Sequence, residues 1–303
     1  MRIASLTGAL LLLANAAGAQ TARAIPDIAL DALKISKGGV IADGDAILVP
    51  TAIMHFSIGG SMWVQAKSGG ANAQGHAVYI THGLERKMLQ DLTQKMVDDL
   101  VERLRGAGYK VLTWEDVKND PEIAKWELRE DDKDVGMPTD DQVGQTFVTV
   151  GPSDAQQIKY GITGIHWKFR GIAKNLNATV LVPEYFFNSP QINMDKEKGY
   201  KRASVSIDAE PSLRMAPALA WMINPKGGGG LIQLEGMGYV NFMTDSVGVV
   251  THAKTDKANL GFMKKMKVGY EMVIDPPLYL DGALHEAKTF NSAIAKVAVK
   301  EKK

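Results

Sequence analysis

Between Leu84 and Leu104 the apolar residues Leu84, Met88, Leu89, Leu92, Met96, Val97, Leu100, Val101 and Leu104 recur at steps of one, three and four. That period predicts an amphipathic helix whose stripe, about 100° wide, lies on a core. On the opposite face Asp91, Lys95, Asp99 and Arg103 stand four residues apart, pairs worth about 0.2–0.5 kcal/mol each. Gly106 and Gly108 mark the helix end, and "YKVLTW" after them reads as a strand. A second stripe of Leu284, Ala287, Phe290, Ile294 and Val297 predicts a C-terminal helix. Pro276, Pro277 and Gly282 punctuate the chain before it, and "VKEKK" reads as a frayed tail.

Elsewhere the period shortens to two. "DAILVPTAIMHFSIGGSMWVQAKSGG" predicts two strands joined by a turn at Gly59-Gly60, "SGGANAQG" a glycine-rich loop, and "HAVYI" a short strand. "QTFVTV" reads as a strand, and "GIHWKFRGIAKNLNA" as a helix with Ile165, Phe169, Ile172, Ala173 and Leu176 on one face. "TVLVPEYFF" follows as a strand whose Pro183 suggests an edge or a bulge. "RASVSIDAEPSLRM" alternates with Val205 and Ile207 on one side. "ALAWMINPKGGGGLIQLEGMGYVN" gives strand, turn and strand with "NPKGGGG" as the connection, and "KVGYEMVID" one strand more. Short helices are expected over Ile28–Leu33 and Pro121–Leu128. The segment 115–141 carries eleven acids against four bases, an acidic insertion. The pattern as a whole predicts an α+β fold: a mixed sheet with a long amphipathic helix packed on it, and antiparallel strands in the C-terminal half.

Composition narrows the class. "MRIASLTGALLLLANAAGAQ" has Arg2 in its n-region, an apolar core too short to span a bilayer and a small-residue cleavage pattern at Ala17-Gly18-Ala19. It predicts a signal peptide over 1–19, cleavage before Gln20, a single mature domain over 20–303, and export to the periplasm or beyond. The 303 residues include no cysteine, which excludes disulfides, thiolate chemistry, cysteine-bound zinc and lipidation after the leader. A formal charge of +1 provides no global field for nucleic acid.

Candidate chemistry is sparse. The six histidines (His55, His76, His82, His166, His252 and His285) form no His-x-x-x-His or His-Glu-x-x-His spacing. His76 and His82 flank "AVYIT" and have the chance to meet in space. "KGGGG" at 226–230 has its lysine before the glycines and strand-like residues after them, so it reads as a hairpin turn, not a phosphate loop. No Gly-x-Gly-x-x-Gly or Gly-x-Ser-x-Gly element occurs. Glu184, Asp208, Glu210, Glu235 and Asp275 cannot be paired by spacing, and the five tryptophans are too dispersed for a stacking platform. "KTDKANLGFMKKMKVGY" is the one basic stretch; it reads first as a solvated strand edge, with acidic polymer or lipid headgroups as the alternative contacts. No catalytic, cofactor-binding or metal residue is therefore assigned, and no cofactor is expected.

The order of these patterns resembles the CsgG-like envelope proteins, a group that includes LpoB and the TolB N-terminal domain. The likeness lies in "ITHGLERKMLQDLTQKMVDDLVERLRGAGYKVLTWEDV", "GIAKNLNATVLVPEYFF" and "ASVSIDAEPSLRMAPALAWMINPKGGGGLI", and covers about half the mature chain. It implies a non-catalytic protein that binds an envelope protein or another envelope component, with a homo-oligomer left open. No lipidation cysteine follows the leader, and no pair of long bilayer-facing strands is evident, which disfavours an anchored activator or a pore. Two alternatives stand beside it. One is a periplasmic hydrolase whose carboxylates and histidines converge only in the fold; the other is a carrier for a small apolar ligand lined by Met54, Phe56, Met62 and Trp63.

Overall fold

The computed structural model describes residues 28–128, 144–159, 164–234, 246–260 and 263–302. Its elements run β1 (Leu33–Ser36), β2 (Ala46–Val49), β3 (Ile53–Ser68), β4 (Ala71–His82), α1 (Arg86–Gly106), β5 (Val111–Thr113), α2 (Trp114–Val117), β6 (Gly144–Val150), α3 (Arg170–Leu176) and β7 (Ala178–Asn188). There follow β8 (Gln191–Gly199), β9 (Arg202–Glu210), β10 (Arg214–Ile223), β11 (Gly229–Leu234), β12 (Gly248–Leu260), β13 (Met263–Ile274) and α4 (Pro276–Glu301). The fold is mixed α+β. Among the described residues eleven strands form one sheet whose main path is β1-β11-β10-β7-β3-β4-β13-β12, and β8 and β9 make a separate hairpin.

Both long helices lie against one face of this sheet. The α1 stripe from Leu89 to Leu104 is buried, as the period predicts, together with Phe290, Ile294 and Val297 of α4 and Met54, Phe56, Leu181 and Phe187 of the sheet. Asn291 of α4 braces this layer: its amide donates to Met96 O and to Asp99 Oδ2 of α1, each at 3.0 Å, and its Oδ1 meets the Tyr185 hydroxyl. A smaller core of Leu48, Ile53, Ile165, Phe169, Ile172, Val180 and Val182 fills the other face under α3. Leu176, expected on that stripe, is 40% exposed at the helix end.

β3 is the hinge of the architecture. Its first residues, Ile53–Phe56, run parallel to Glu184–Phe187 of β7, and Gly59–Ser68 pair antiparallel with β4. The strand thus leaves the helix-covered sheet and continues into an extension of β3, β4, β13 and β12. One face of that extension is covered by β8–β9, through Ile192, Met194 and Ile207 against Ala77, Tyr79, Val268 and Tyr270.

Several local expectations change. Gly59-Gly60 is not a turn; the strand passes through it with a register shift between Ser57 and Gly59. A side chain at Gly60 would lie 2.7 Å from the Tyr79 hydroxyl, so close packing and not chain reversal requires this glycine. The turn comes at Gly69-Gly70, both at positive φ, and the rest of the expected glycine-rich loop is strand β4. The result is long paired strands, in β3–β4 and again in β12–β13. Pro183 sits in a central strand, not at an edge, but opposite a gap: β2 partners β7 up to Val180 and β3 resumes at Glu184. β8 has no counterpart in the sequence pattern, because the charged run Asp195–Lys198 interrupts its alternation, and β12 is met only in part, by the strand edge expected from Lys254 onward. The expected helices over 28–33 and 121–128 shrink to single turns, Leu30–Ala32 and Ile123–Lys125. α4 begins at Pro276 and includes Gly282, since Asp275 caps it by accepting from Leu278 N and prolines are compatible with a first turn. It runs on through Glu301, so the basic tail is helical almost to its end. Among the described residues the ion pairs within α1 are Lys87–Asp91 and Asp99–Arg103; Lys95 joins neither. Much of the acidic insertion, from 129 to 143, lies outside the described residues.

Candidate functional site

On the α3 side of the sheet, four adjacent strands carry a diagonal polar row. β6 supplies Thr149, β3 His55, β7 Glu184 and β10 Trp221. Thr149 and His55 are direct cross-strand partners, whereas Glu184 and Trp221 each lie two residues off the directly opposed position. His55 Nδ1 is 2.9 Å from Thr149 Oγ1 and His55 Nε2 is 2.8 Å from Glu184 Oε1. The Trp221 indole N–H donates to Glu184 Oε2 at 2.7 Å. An ionised carboxylate only accepts, so Nε2 carries the imidazole proton toward Glu184. In neutral His55 this leaves Nδ1 to accept the Thr149 hydroxyl.

Aromatic rings enclose the row. Phe186 stacks on the His55 ring with centroids 4.1 Å apart, and Phe147 meets both edge-on. At the other end the His166 ring stacks on Trp221 at 5.1 Å. His166 is buried with its Nδ1 unpartnered, and burial pushes its pKa down to about 4. The neighbouring Glu184 carboxylate opposes that shift without cancelling it.

A hydroxyl, an imidazole and a carboxylate in sequence are the components of an activated nucleophile. Here the hydroxyl belongs to a residue only 6% exposed, and Glu184 is 9% exposed. A substrate carbonyl has little access to a hydroxyl on so buried a residue. In this conformation the row is a satisfied network inside the sheet, which is what an acid and a histidine in a core require.

The other candidates disperse. His76 and His82 lie on the same strand, six residues apart, and do not meet. Asp275 caps α4, Glu210 accepts from Asn193, Asp208 accepts from the backbone of Ala209, and Glu235 lies outside the described residues. Met54 and Phe56 are core residues while Met62 and Trp63 are exposed, so these four line no common cavity. "KGGGG" forms the β10–β11 turn, where the Gly227 N–H bonds Asn224 O and Gly228 N–H bonds the Asn224 side chain. Among the described residues no group of three or more His, Asp or Glu side chains converges as metal ligands do. His55 and Glu184 were in view in the sequence but could not be joined. The available signal was a lone acid within the apolar run of β7, which must find a buried partner.

Fold and row together define a mixed α+β protein with an internal polar network and a sheet extension beyond its helical layer. The chain matches no protein-family model, no curated protein and no solved structure.

Proposed function

We propose that this is an exported, non-catalytic bacterial envelope protein that binds another envelope component through its sheet extension, within a CsgG-like architecture. The observation that carries the reading is the uncovered face of that extension. β8–β9 covers one side, and on the other Trp63 is 53% exposed, with Val249 and Val273 at 63% and 54%. A tryptophan projecting from regular strand, with its polar cluster elsewhere already satisfied, suits recognition better than turnover. No helix of the described residues is long and apolar enough to cross a membrane. The test is affinity purification of the exported protein from detergent-solubilised envelope extract. A reproducible protein partner, lost in Trp63→Ala with the melting temperature unchanged, is expected; no retained component would overturn the reading.

One observation favours a second reading, a hydrolase: the Thr149–His55–Glu184 order. Ester or amide turnover by the parent that disappears in Thr149→Val, a shape-conserving change, would establish it.

A further inference from the structure

We propose that the end of the extension where three hairpins terminate is a docking surface for a bilayer bearing anionic phospholipid headgroups. The proposal rests on the envelope-binding reading and specifies one component of it.

The register brings the tips together. The β3–β4 hairpin closes at Ser68↔Ala71 and the β8–β9 hairpin at Gly199↔Arg202. The Ser68 hydroxyl donates to Gly199 O at 2.7 Å, so these two turns touch. β12–β13 closes at Leu260↔Met263, and Met263 stands beside Asn72 in the parallel β13–β4 pairing. All three hairpins therefore end at the same edge of the molecule, away from α1 and α4.

Charge is concentrated there. Lys67, Lys196, Lys198, Lys201, Arg202, Lys257 and Lys265 are all exposed and lie within three residues of a strand end, and the acids among them in the described strands are Asp195, Glu197 and Asp256. The chain as a whole carries +1. The remainder is thus acidic on balance, and a negatively charged surface orients the molecule with its tips forward. Lys198, Lys201 and Arg202 form no ion pair among the described residues; Lys201 rests over the Tyr200 ring at 5.4 Å. Between the first two turns lies an open cleft of about 1180 Å³ whose lining includes Gly69, Gly70, Lys198, Lys201 and Arg202. The two glycines present no side chain to an approaching phosphate. Tyr200, at the apex of its turn, is 88% exposed. An amphipathic ring beside lysines is the combination that settles at the level of lipid headgroups. A soluble anion would use the charges but has no use for the projecting ring, which is why the occupant is a bilayer.

The experiment is co-sedimentation of the purified protein with vesicles. Binding is expected to equal parts phosphatidylglycerol and phosphatidylcholine, and not to phosphatidylcholine alone. It should weaken by more than about tenfold when salt is raised from 0.05 to 0.5 M, and likewise in Lys198→Glu/Lys201→Glu/Arg202→Glu at low salt. Tyr200→Ser should weaken it about threefold. Inorganic phosphate at the same phosphate concentration should not displace the protein. Equal binding to both vesicles, no binding to either, or displacement by inorganic phosphate would overturn the proposal, as would a folded triple variant that binds like the parent. The salt and lipid arms use the parent chain and do not depend on the variants folding. Protein capture from detergent extract contains no bilayer, so it fails only with the broader reading, whereas vesicle binding can fail alone.

Discussion

Glu286 illustrates what a single buried acid does to this protein. It lies on α4 at 1% exposure, its Oε2 accepting the Met215 N–H at 2.5 Å and its Oε1 unpartnered. Burial pushes its pKa up to about 8, against the smaller opposing pull of that hydrogen bond and of Arg214. The folded pKa is above the unfolded one, so the contribution to stability is complete below the unfolded value near 4.5 and is lost as pH climbs through about 8. Glu286→Gln keeps the acceptor and removes the titration. Thermal melts should show the variant close to the parent at pH 5 and higher by at least about 3 °C at pH 9. His166 has the opposite sign. Its folded pKa of about 4 lies below the ordinary 6.5, so its contribution is present above 6.5 and lost as pH falls toward 4. In His166→Phe, which retains a ring against Trp221, the fall in melting temperature between pH 7 and pH 4 should be visibly smaller. For the His55–Glu184 pair, whose side chains are 12% and 11% exposed, truncating one partner strands the other. Glu184→Ala should cost about 3–5 kcal/mol in denaturant unfolding.

Among the elements, α1 was the most legible in the sequence, and its stripe makes a quantitative claim. Leu92 and Leu100 are 3% and 0% exposed, and each truncation to alanine should cost about 2–5 kcal/mol through lost contacts and a residual cavity. Lys95→Ala should cost less than about 1 kcal/mol, since that side chain is exposed. Leucine variants that melt like the parent would contradict the packing seen here. Periodicity missed the bracing by Asn291, because a polar residue in a helix reads as solvent-facing until the neighbouring helix is placed. The β10–β11 turn was equally legible: a lysine before four glycines, with strands on both sides, cannot converge amides and ammonium on a phosphate. Titration with ATP should give no saturable binding, and micromolar affinity would refute the turn assignment. By contrast β8 carries no strand signal of its own: with Asp195–Lys198 all charged, it owes its conformation to the neighbour it pairs with.

For the molecule as a whole, the order of strands matters more than their number. Residues 55, 149, 184 and 221 are scattered along the chain and share a face only because β6, β3, β7 and β10 are successive neighbours. The same holds for the basic tips. "KMKVGY" is visibly cationic in sequence, but Lys198, Lys201 and Arg202 join that surface only through the hairpin pairing of β8 and β9 and its packing on β4.

The sequence by itself determined the local periods: the two long helices, the α3-to-β7 and β10-to-β11 segments, the α+β class and the lack of cysteine chemistry. These follow from side-chain spacing on one element, which needs no knowledge of any other. Only the tertiary structure decided that β3 continues through Gly59-Gly60 into an extension, that Pro183 lies within a central strand, and that a threonine, histidine and glutamate share hydrogen bonds. Each depends on which strand lies beside which, a choice made by the burial of both sheet faces at once and carried by no single segment of the chain.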